Sequence, residues 1–313
     1  MAPERNLILV HQPERQALQD FYDIAALVEE MAPDIRTFVV YNTARNTLTR
    51  KKAAALPTLV FSPGELDEFT PTRGKIYAGR FIPKSEQCRR LAAAGVTVPA
   101  TVGPGDDISK IKELSDIVLT KSDATEATRG QGIHLRRRES FERELANQRE
   151  SGRLGYSVQS FIDTGRYPSC YRVHTLFGET LLAFKRTSLV TGATPDMQDD
   201  ELKDALFQPP AFKERTVEIC REPDVLDLAM RAYHALPEIP LHGCDIVRDQ
   251  TSGELFVLEV NAGGNTWVFS KPFPGATQAS FARDSGVSNL VEPFDAFRTA
   301  ARALIARTRA EAQ

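Results

Sequence analysis

Gly243-Cys244-Asp245-Ile246-Val247-Arg248, the turn residues Asp249-Gln250-Thr251-Ser252-Gly253, and Glu254-Leu255-Phe256-Val257-Leu258-Glu259-Val260-Asn261 read as a β-hairpin that ends in acid. Successive strand side chains alternate faces, so Glu259 and Asn261 point one way and Val260 the other, into a core. A three-residue loop from Thr251 to Gly253, with Gly253 in the left-handed conformation, sets Asp245 opposite Glu259. Asp245, Glu259 and Asn261 then share a face, whereas a two-residue loop would send Asp245 to the other side. Two carboxylates and an amide oxygen suit magnesium, which takes one or two carboxylates and completes its shell with water and phosphate oxygens. The competing reading is an ordinary hairpin with exposed acids at its end, so the rest of the chain has to decide.

The bulk properties exclude several classes. With 39 basic and 42 acidic side chains the formal net charge is -3, which gives no general attraction to nucleic acid or to an anionic membrane, so any anion site must be local. Cys88, Cys170, Cys220 and Cys244 are widely spaced, with no Cys-x-x-Cys and no nearby His pair of the kind zinc uses. They fit reduced thiols in the cytoplasm. The first apolar run, Leu7 to Val10, is too brief for a signal peptide or a membrane span. We therefore expect a cytoplasmic protein with no nucleic-acid or membrane partner, and 313 residues allow it two or three domains.

From the N-terminus, Leu7 to Val10, a helical segment from about Glu14 to Met31, Thr37 to Tyr41 and Leu56 to Phe61 alternate as strand, helix, strand, strand, the pattern of a small α/β domain over residues 1–80. No Gly-x-Gly-x-x-Gly follows the first strand, so a dinucleotide fingerprint is absent. Residues 82–99 read as a helix with Pro83 near its start and Gly95 as its C-terminal cap. Lys84 at the start opposes the helix dipole, which is costly unless an anion lies close; the alternative is a solvated surface lysine. Ile117 to Lys121 is a strand that delivers Lys121 into a small, hydroxyl-rich loop containing Gly130 and Gly132. Such a loop can wrap backbone N–H groups around phosphate, although it lacks the Walker pattern and also reads as a plain surface loop.

Ser157 to Ile162 is another apolar strand, able to offer backbone groups to an adenine edge while Phe161 or Ile162 packs the ring. Arg172 to Phe177 and Thr180 to Arg186 form a second hairpin about Gly178-Glu179, and their period-2 register brings Arg172 and Arg186 towards one face. Arg186 suits phosphate charge; Arg172 suits either that or a structural carboxylate. Residues 191–213 form a loop-rich excursion whose role is not legible, 224–236 an amphipathic helix, and Phe294, Phe297, Ala301 and Leu304 the buried stripe of a final helix.

Taken in order, Lys84, Lys121 with its glycine loop, the Val158–Ile162 strand, Arg172 and Arg186, then Asp245 and Glu259-x-Asn261 resemble the ATP-grasp superfamily. The resemblance covers about residues 80–270 and is nearest to its D-alanine–D-alanine ligase, glutathione synthetase and ribosomal-protein glutamate ligase branches. It implies an α/β and α+β architecture: an N-terminal α/β domain over 1–80, a central lid subdomain over 81–156 and a C-terminal catalytic subdomain over 157–313. It also implies ATP clamped by Lys84 and Lys121 with Gly130 and Gly132, and adenine held along Gln159, Ser160, Phe161 and Ile162. Asp163 is the nearest candidate for the ribose. Asp245, Glu259 and Asn261 are implied as ligands of one or two Mg2+ ions, with Mn2+ an alternative, and Arg186, Arg172 and Asn265 as the residues facing the transferred phosphoryl group. Two departures stand out: Arg129-Gly130-Gln131-Gly132 replaces a plainer glycine-serine run, and Gln159 stands where an acid is usual.

The expected chemistry is an ATP-dependent carboxylate–amine ligase in which a carboxylate attacks the γ-phosphate and an amine then displaces phosphate from the acyl phosphate. Phosphoryl transfer needs positioning and charge neutralisation, which fits lysines, arginines and magnesium without a covalent nucleophile. A regulatory ATP-binding module and a phosphotransferase on the same scaffold are the alternatives. Substrates are expected to be small-molecule or peptide carboxylates and amines, with a homodimer as the candidate assembly. His134, His174 and His242 are available near the site or serve as structural histidines.

Overall fold

The computed structural model describes residues 2–13, 15–42, 51, 55–66, 73–121, 133–147, 155–210, 214–262, 267, 269–270 and 289–313. Among these are three sheets. The first is parallel, in the order β2-β1-β3-β4, from β1 (Arg5–His11), β2 (Ile35–Tyr41), β3 (Thr58–Ser62) and β4 (Lys75–Ala78). Its central strand is apolar on both sides, as a strand covered on both faces must be. Leu7 and Leu9 enter one cluster and Ile8 and Val10 another.

Helix α1 (Leu18–Met31) covers the first of these faces through Phe21, Ile24, Ala25 and Val28, the three-and-four spacing of an amphipathic helix. Its first residue is Leu18, because the Arg15 and Gln16 N–H groups bond the Gln12 carbonyl and the Gln16 side chain accepts the Gln12 N–H at 2.8 Å, a local set of bonds that ends before the helix.

The second sheet is antiparallel, in the order β5-β8-β6-β7, from β5 (Thr101–Val102), β6 (Ile117–Lys121), β7 (His134–Arg137) and β8 (Ser157–Ser160). Val102, Val118 and Val158 pack under Phe141 of α3 (Arg138–Asn147), while Ile117, Leu119 and Leu135 face the other way. Helix α2 (Lys84–Ala93) precedes this sheet and ends, as expected, at Gly95 with φ +75°. The expected boundary at 156/157 falls at the start of β8, which pairs with β5 and β6; we propose that the division lies after Ser160.

The third sheet is antiparallel, in the order β11-β10-β9-β12-β13, from β9 (Ser169–Leu176), β10 (Glu179–Ser188), β11 (Arg215–Ile219), β12 (Leu241–Arg248) and β13 (Leu255–Asn261). The β9–β10 turn is Phe177-Gly178, with φ of 51° and 89°, one residue earlier than expected, because a two-residue hairpin turn of this hand needs positive φ at both positions. One face presents Val173, Ala183, Cys244, Ile246, Val257 and Val260 to helix α5 (Pro223–Ala235). The other carries Leu176, Leu182, Phe184 and Leu241, which pack with helix α6 (Ala296–Glu311) into the core shared with the first sheet.

The β12–β13 register is reached differently from the sequence expectation. The Asp249 N–H bonds the Glu254 carbonyl and Arg248 pairs with Leu255, so the loop is longer than Thr251 to Gly253. Continued unbroken, that register would set Asp245 opposite Leu258. A β-bulge at Leu258 restores it: Ile246 pairs with Val257, and Asp245 with Glu259. The bulge lets Val257 and Val260, three apart, both face the α5 core.

Candidate active site

At the end of the β12–β13 hairpin, Asp245, Glu259 and Asn261 lie on the sheet face that also carries Arg172 and Arg186. β9 pairs with β12 so that Arg172 is opposite Asp245, and with β10 so that Arg186 is opposite Cys170. Arg172 grips Asp245 with two hydrogen bonds, Nε to Oδ1 at 2.5 Å and Nη2 to Oδ2 at 2.6 Å. Arg186 Nη2 lies 3.7 Å from Asp245 Oδ1, and Asn261 Nδ2 donates to Asp245 Oδ2 at 3.2 Å. Burial alone would push the Asp245 carboxyl up, but the Arg172 and Arg186 charges hold it below the ordinary carboxylate range. Burial likewise opposes the Arg172 charge, and the Asp245 carboxylate outweighs it, raising the guanidinium pKa. Beside them the Cys170 thiol is pushed up to about 11, first by burial and then by Asp245, so it is an inert neighbour and not a nucleophile.

Glu259 is more open. Its side chain is 29% exposed against 12% for Asp245, and Oε2 pairs with Lys84 Nζ at 3.3 Å. Lys84 is the first residue of α2, so Glu259 is the anion that its place at a helix N-terminus requires. Lys121, at the end of β6, donates to Gln159 Oε1 at 2.5 Å. Burial depresses its ammonium pKa, partly offset by Glu259. The same Gln159 amide donates to Thr101 Oγ1 at 3.0 Å, which fixes its orientation towards Lys121. The residue that replaces the expected acid is therefore Lys121's partner.

On the strand expected to hold adenine, two backbone donors have protein partners. The Ser160 N–H bonds the Ala100 carbonyl and the Phe161 N–H the Ile117 carbonyl, so both donors are committed within the second sheet. The Ser160 hydroxyl accepts the Ser115 N–H at 3.0 Å. Asp163 is likewise engaged in a local turn, accepting the Gly165 N–H at 2.8 Å, as a short acid at a turn commonly does. Gly130, Gly132 and Asn265 lie outside the described residues. His174 is buried beside Phe184, His242 is buried against Tyr233, and His134 is exposed on β7.

Two features had no reading in the sequence. Gln87, buried on α2, donates to the Ile82 carbonyl at 3.0 Å and accepts the Val260 N–H at 2.9 Å. It ties α2 to the residue between Glu259 and Asn261, and the available signal was a polar residue on the helix face that carries Cys88 and Leu91. The described part of the 191–213 excursion, residues 191–210, folds against the second sheet: Ala193 and Leu202 pack on Ile117, Leu119 and Leu135. The short helix α4 (Asp199–Leu202) accepts the Arg137 N–H through Asp199 Oδ1 at 2.6 Å. A groove of about 730 Å³ beside the Phe177-Gly178 turn, lined by Pro223, Leu226, Met230 and Ala303, contains none of these residues.

No family model matches the chain, and no curated protein matches it by sequence. Solved structures do match over nearly its whole length. One is the D-cycloserine synthetase DcsG, at 15% identity and a TM-score of 0.52, covering 97% of this chain and 99% of that one. Another is the ATP-grasp ligase PsnB complexed with minimal precursor, Mg, and ADP, at 15% identity and a TM-score of 0.55, covering 96% and 97%. The chain has the ATP-grasp fold. Within this ATP-grasp fold, the second and third sheets supply Lys121 and the Asp245 hairpin respectively, and α2, which precedes both in sequence, supplies Lys84.

Whether a metal fits this ATP-grasp site depends on its donors. Among the described residues no three His, Cys, Asp or Glu side chains converge as a protein-only cage. An ion that keeps water and phosphate oxygens, as magnesium does, suits the Glu259 carboxylate and the Asn261 amide oxygen. Asp245, the expected third donor, has both oxygens engaged by Arg172.

Proposed function

We propose that the protein is an ATP- and magnesium-dependent carboxylate–amine ligase. The observation that carries this reading is the convergence of Lys84, Arg172 and Arg186 with Asp245, Glu259 and Asn261 at one end of the third sheet. Lys121 joins them electrostatically from the second. Four cations around two carboxylates leave a net positive site, suited to a nucleotide triphosphate. Likeness to an ATP-grasp ligase solved with Mg and ADP supports the same choice of ligands.

In this reading Lys84 exchanges Glu259 for a phosphate oxygen, and Lys121, already desolvated, reaches a second phosphate or the base. Gly130 and Gly132 are assigned to the phosphate loop and Asn265 to the acyl phosphate. Because the Ser160 and Phe161 donors are committed, the free backbone donor for adenine is assigned to Ile162, and Asp163, which accepts one N–H through Oδ1, is assigned to the ribose through Oδ2. Asp245, Glu259 and Asn261 would hold magnesium, whose chemistry would be to neutralise phosphate charge. The carboxylate substrate attacks the γ-phosphorus, ADP leaves, and an amine nitrogen attacks the acyl carbon, expelling phosphate and giving an amide. Arg172 and Arg186 stabilise the phosphoryl oxygens by fixed charge, the term that dominates such transfers. The substrates are small-molecule or peptide acids and amines.

The test is ADP release by purified protein against pooled carboxylates and amines, with mass spectrometry of the product. Magnesium-dependent turnover that needs both an acid and an amine is expected, with loss of at least about a hundredfold in Glu259→Gln, the scale of removing one charge-stabilising group. A stable phosphorylated product without an amide would indicate a phosphotransferase, and magnesium-ATP binding without turnover a regulatory module.

A further inference from the structure

Residues 161–168 carry the chain from β8 of the second sheet to β9 of the third, and they contain neither helix nor strand. Turns and side chains therefore have to fix this crossing. Asp163 Oδ1 accepts the Gly165 N–H at 2.8 Å, and Thr164 Oγ1 accepts the Ser169 N–H at 3.0 Å. A short acid and a hydroxyl closing turns in this way is ordinary loop chemistry. It leaves Oδ2 of the half-buried Asp163 without a partner among the described residues.

A further contact comes from far along the chain. The Gln250 N–H, at the tip of the β12–β13 hairpin, bonds the Asp163 carbonyl at 2.7 Å. The Gln250 side chain lies against Gly165, where φ is +99° and a Cβ would overlap Gln250 Oε1. Glycine is required there twice, by the left-handed backbone and by the close approach. The tip is itself rigid: Asp249 Oδ1 accepts the Thr251 N–H at 2.9 Å and the Ser252 N–H at 2.7 Å, and the Asp249 carbonyl accepts the Gly253 N–H at 2.9 Å. Gln250 is exposed, so burial of apolar surface does not explain why the tip reaches the crossing. The strands behind that tip carry Asp245, Glu259 and Asn261. One hairpin thus holds the Asp163 turn and the candidate metal donors in fixed relation to each other.

We propose that Gln250 and Gly165 are positioning residues for the nucleotide sugar: the hairpin tip holds the Asp163 turn so that Oδ2 meets the ribose hydroxyls, and the site thereby selects a ribonucleotide. This rests on the ATP reading of the site and on Asp163 as the ribose ligand. Gln250 and Gly165 act through Asp163. A carboxylate oxygen accepts from a hydroxyl and finds no such donor on a dideoxy sugar, so selection is the loss of charge-assisted hydrogen bonds.

Calorimetric titration in the presence of magnesium compares ADP with 2′,3′-dideoxy-ADP, which keeps the adenine and both phosphates. Wild type is expected to bind ADP at least about tenfold more tightly than the analogue, the scale of a hydrogen bond to a charged group. Asp163→Ala should bring ADP down to the level of the analogue. Gln250→Pro removes the N–H and suits the turn position after Asp249. It should reduce the ratio to within about threefold while the analogue stays within about threefold of its wild-type affinity. Gly165→Ala, which strains the turn, should do the same, and it decides the matter where Gln250→Pro does not fold. Near-UV circular dichroism of the single tryptophan, Trp267, reports folding. A wild-type ratio in folded Gln250→Pro or Gly165→Ala overturns the positioning role. So does equal weakening of ADP and the analogue, the mark of a contact that only braces the crossing. A wild type that binds both alike, or a wild-type ratio in Asp163→Ala, overturns the ribose assignment and this inference with it. Wild type that binds no ADP overturns the nucleotide reading itself.

Discussion

His242 has no exposed surface and packs edge-on against the Tyr233 ring, with centroids 5.5 Å apart. Burial lowers its pKa from 6.5 to about 4. The unfolded chain therefore takes up a proton between these values that the folded chain refuses, and stability falls as pH drops from 6.5 towards 4. Below pH 4 both states are protonated and this contribution ends. The shift corresponds to about 3 kcal/mol by pH 4. Urea unfolding at pH 7 and pH 4.5 should show the loss, and His242→Leu should flatten that slope whatever it does at neutral pH. Gln87 poses a different residue-scale question. Gln87→Leu keeps the volume but leaves the Val260 N–H unpaired in a buried place. The expected cost is about 1–3 kcal/mol in thermal or chemical unfolding, with weaker Mn2+ binding because Val260 lies between Glu259 and Asn261. Wild-type affinity in a folded Gln87→Leu protein would show that α2 does not position the hairpin.

At the scale of the element, the bulge at Leu258 decides which side chains reach the site. Because Leu258 is the extra residue, its deletion should leave Asp245 opposite Glu259 and keep Val260 in the core. Deleting Val260 instead moves Asn261 into the α5 core and removes it from the site. The Leu258 deletion is thus expected to retain cooperative unfolding and Mn2+ binding, and the Val260 deletion to lose both. The outer edge of β13 explains why the strand can carry a bulge without an exposed ladder. Its Val257 N–H goes to the Thr97 carbonyl and its Val260 N–H to Gln87, so the chain around α2 covers the edge.

Across the whole molecule, the first sheet meets the site hairpin where little space is left. A Cβ at Gly79 would lie 2.2 Å from the Pro63 carbonyl oxygen and 2.6 Å from that of Ala262, the residue after Asn261. Both contacts are to backbone, so neither can be relieved by a side-chain rotation. Gly79→Ala should therefore separate the end of β3 from the end of β13, lowering stability by about 1–3 kcal/mol and weakening Mn2+ binding in the same variant. Unchanged binding would show that the hairpin end does not depend on the first sheet. Helix α6 works at the same scale: Arg309 pairs with Asp34, Gln313 exchanges two backbone hydrogen bonds with Thr58, and Leu304 is fully buried in the core shared by two sheets. This agrees with the stripe of Phe294, Phe297, Ala301 and Leu304 having been read as packing.

Periodicity and spacing by themselves determined the first three strands and the helix of the N-terminal α/β domain, the amphipathic helices, the Gly95 cap and the common face of Glu259 and Asn261. Each of these follows from local alternation or a backbone preference that a short stretch carries in full. The order of lysines, arginines and acids also pointed to the ATP-grasp fold, since that order survives whatever the loops do. Only the tertiary structure decided that Asp245 is gripped by Arg172 from the neighbouring strand and that Gln159 belongs to Lys121. It alone showed that the Ser160 and Phe161 donors are spent on Ala100 and Ile117. These are choices among partners distant in sequence, and they depend on strand order and on a one-residue bulge. The alternating pattern of β13 reads the same with or without that bulge until Val257 and Val260 are seen in one core.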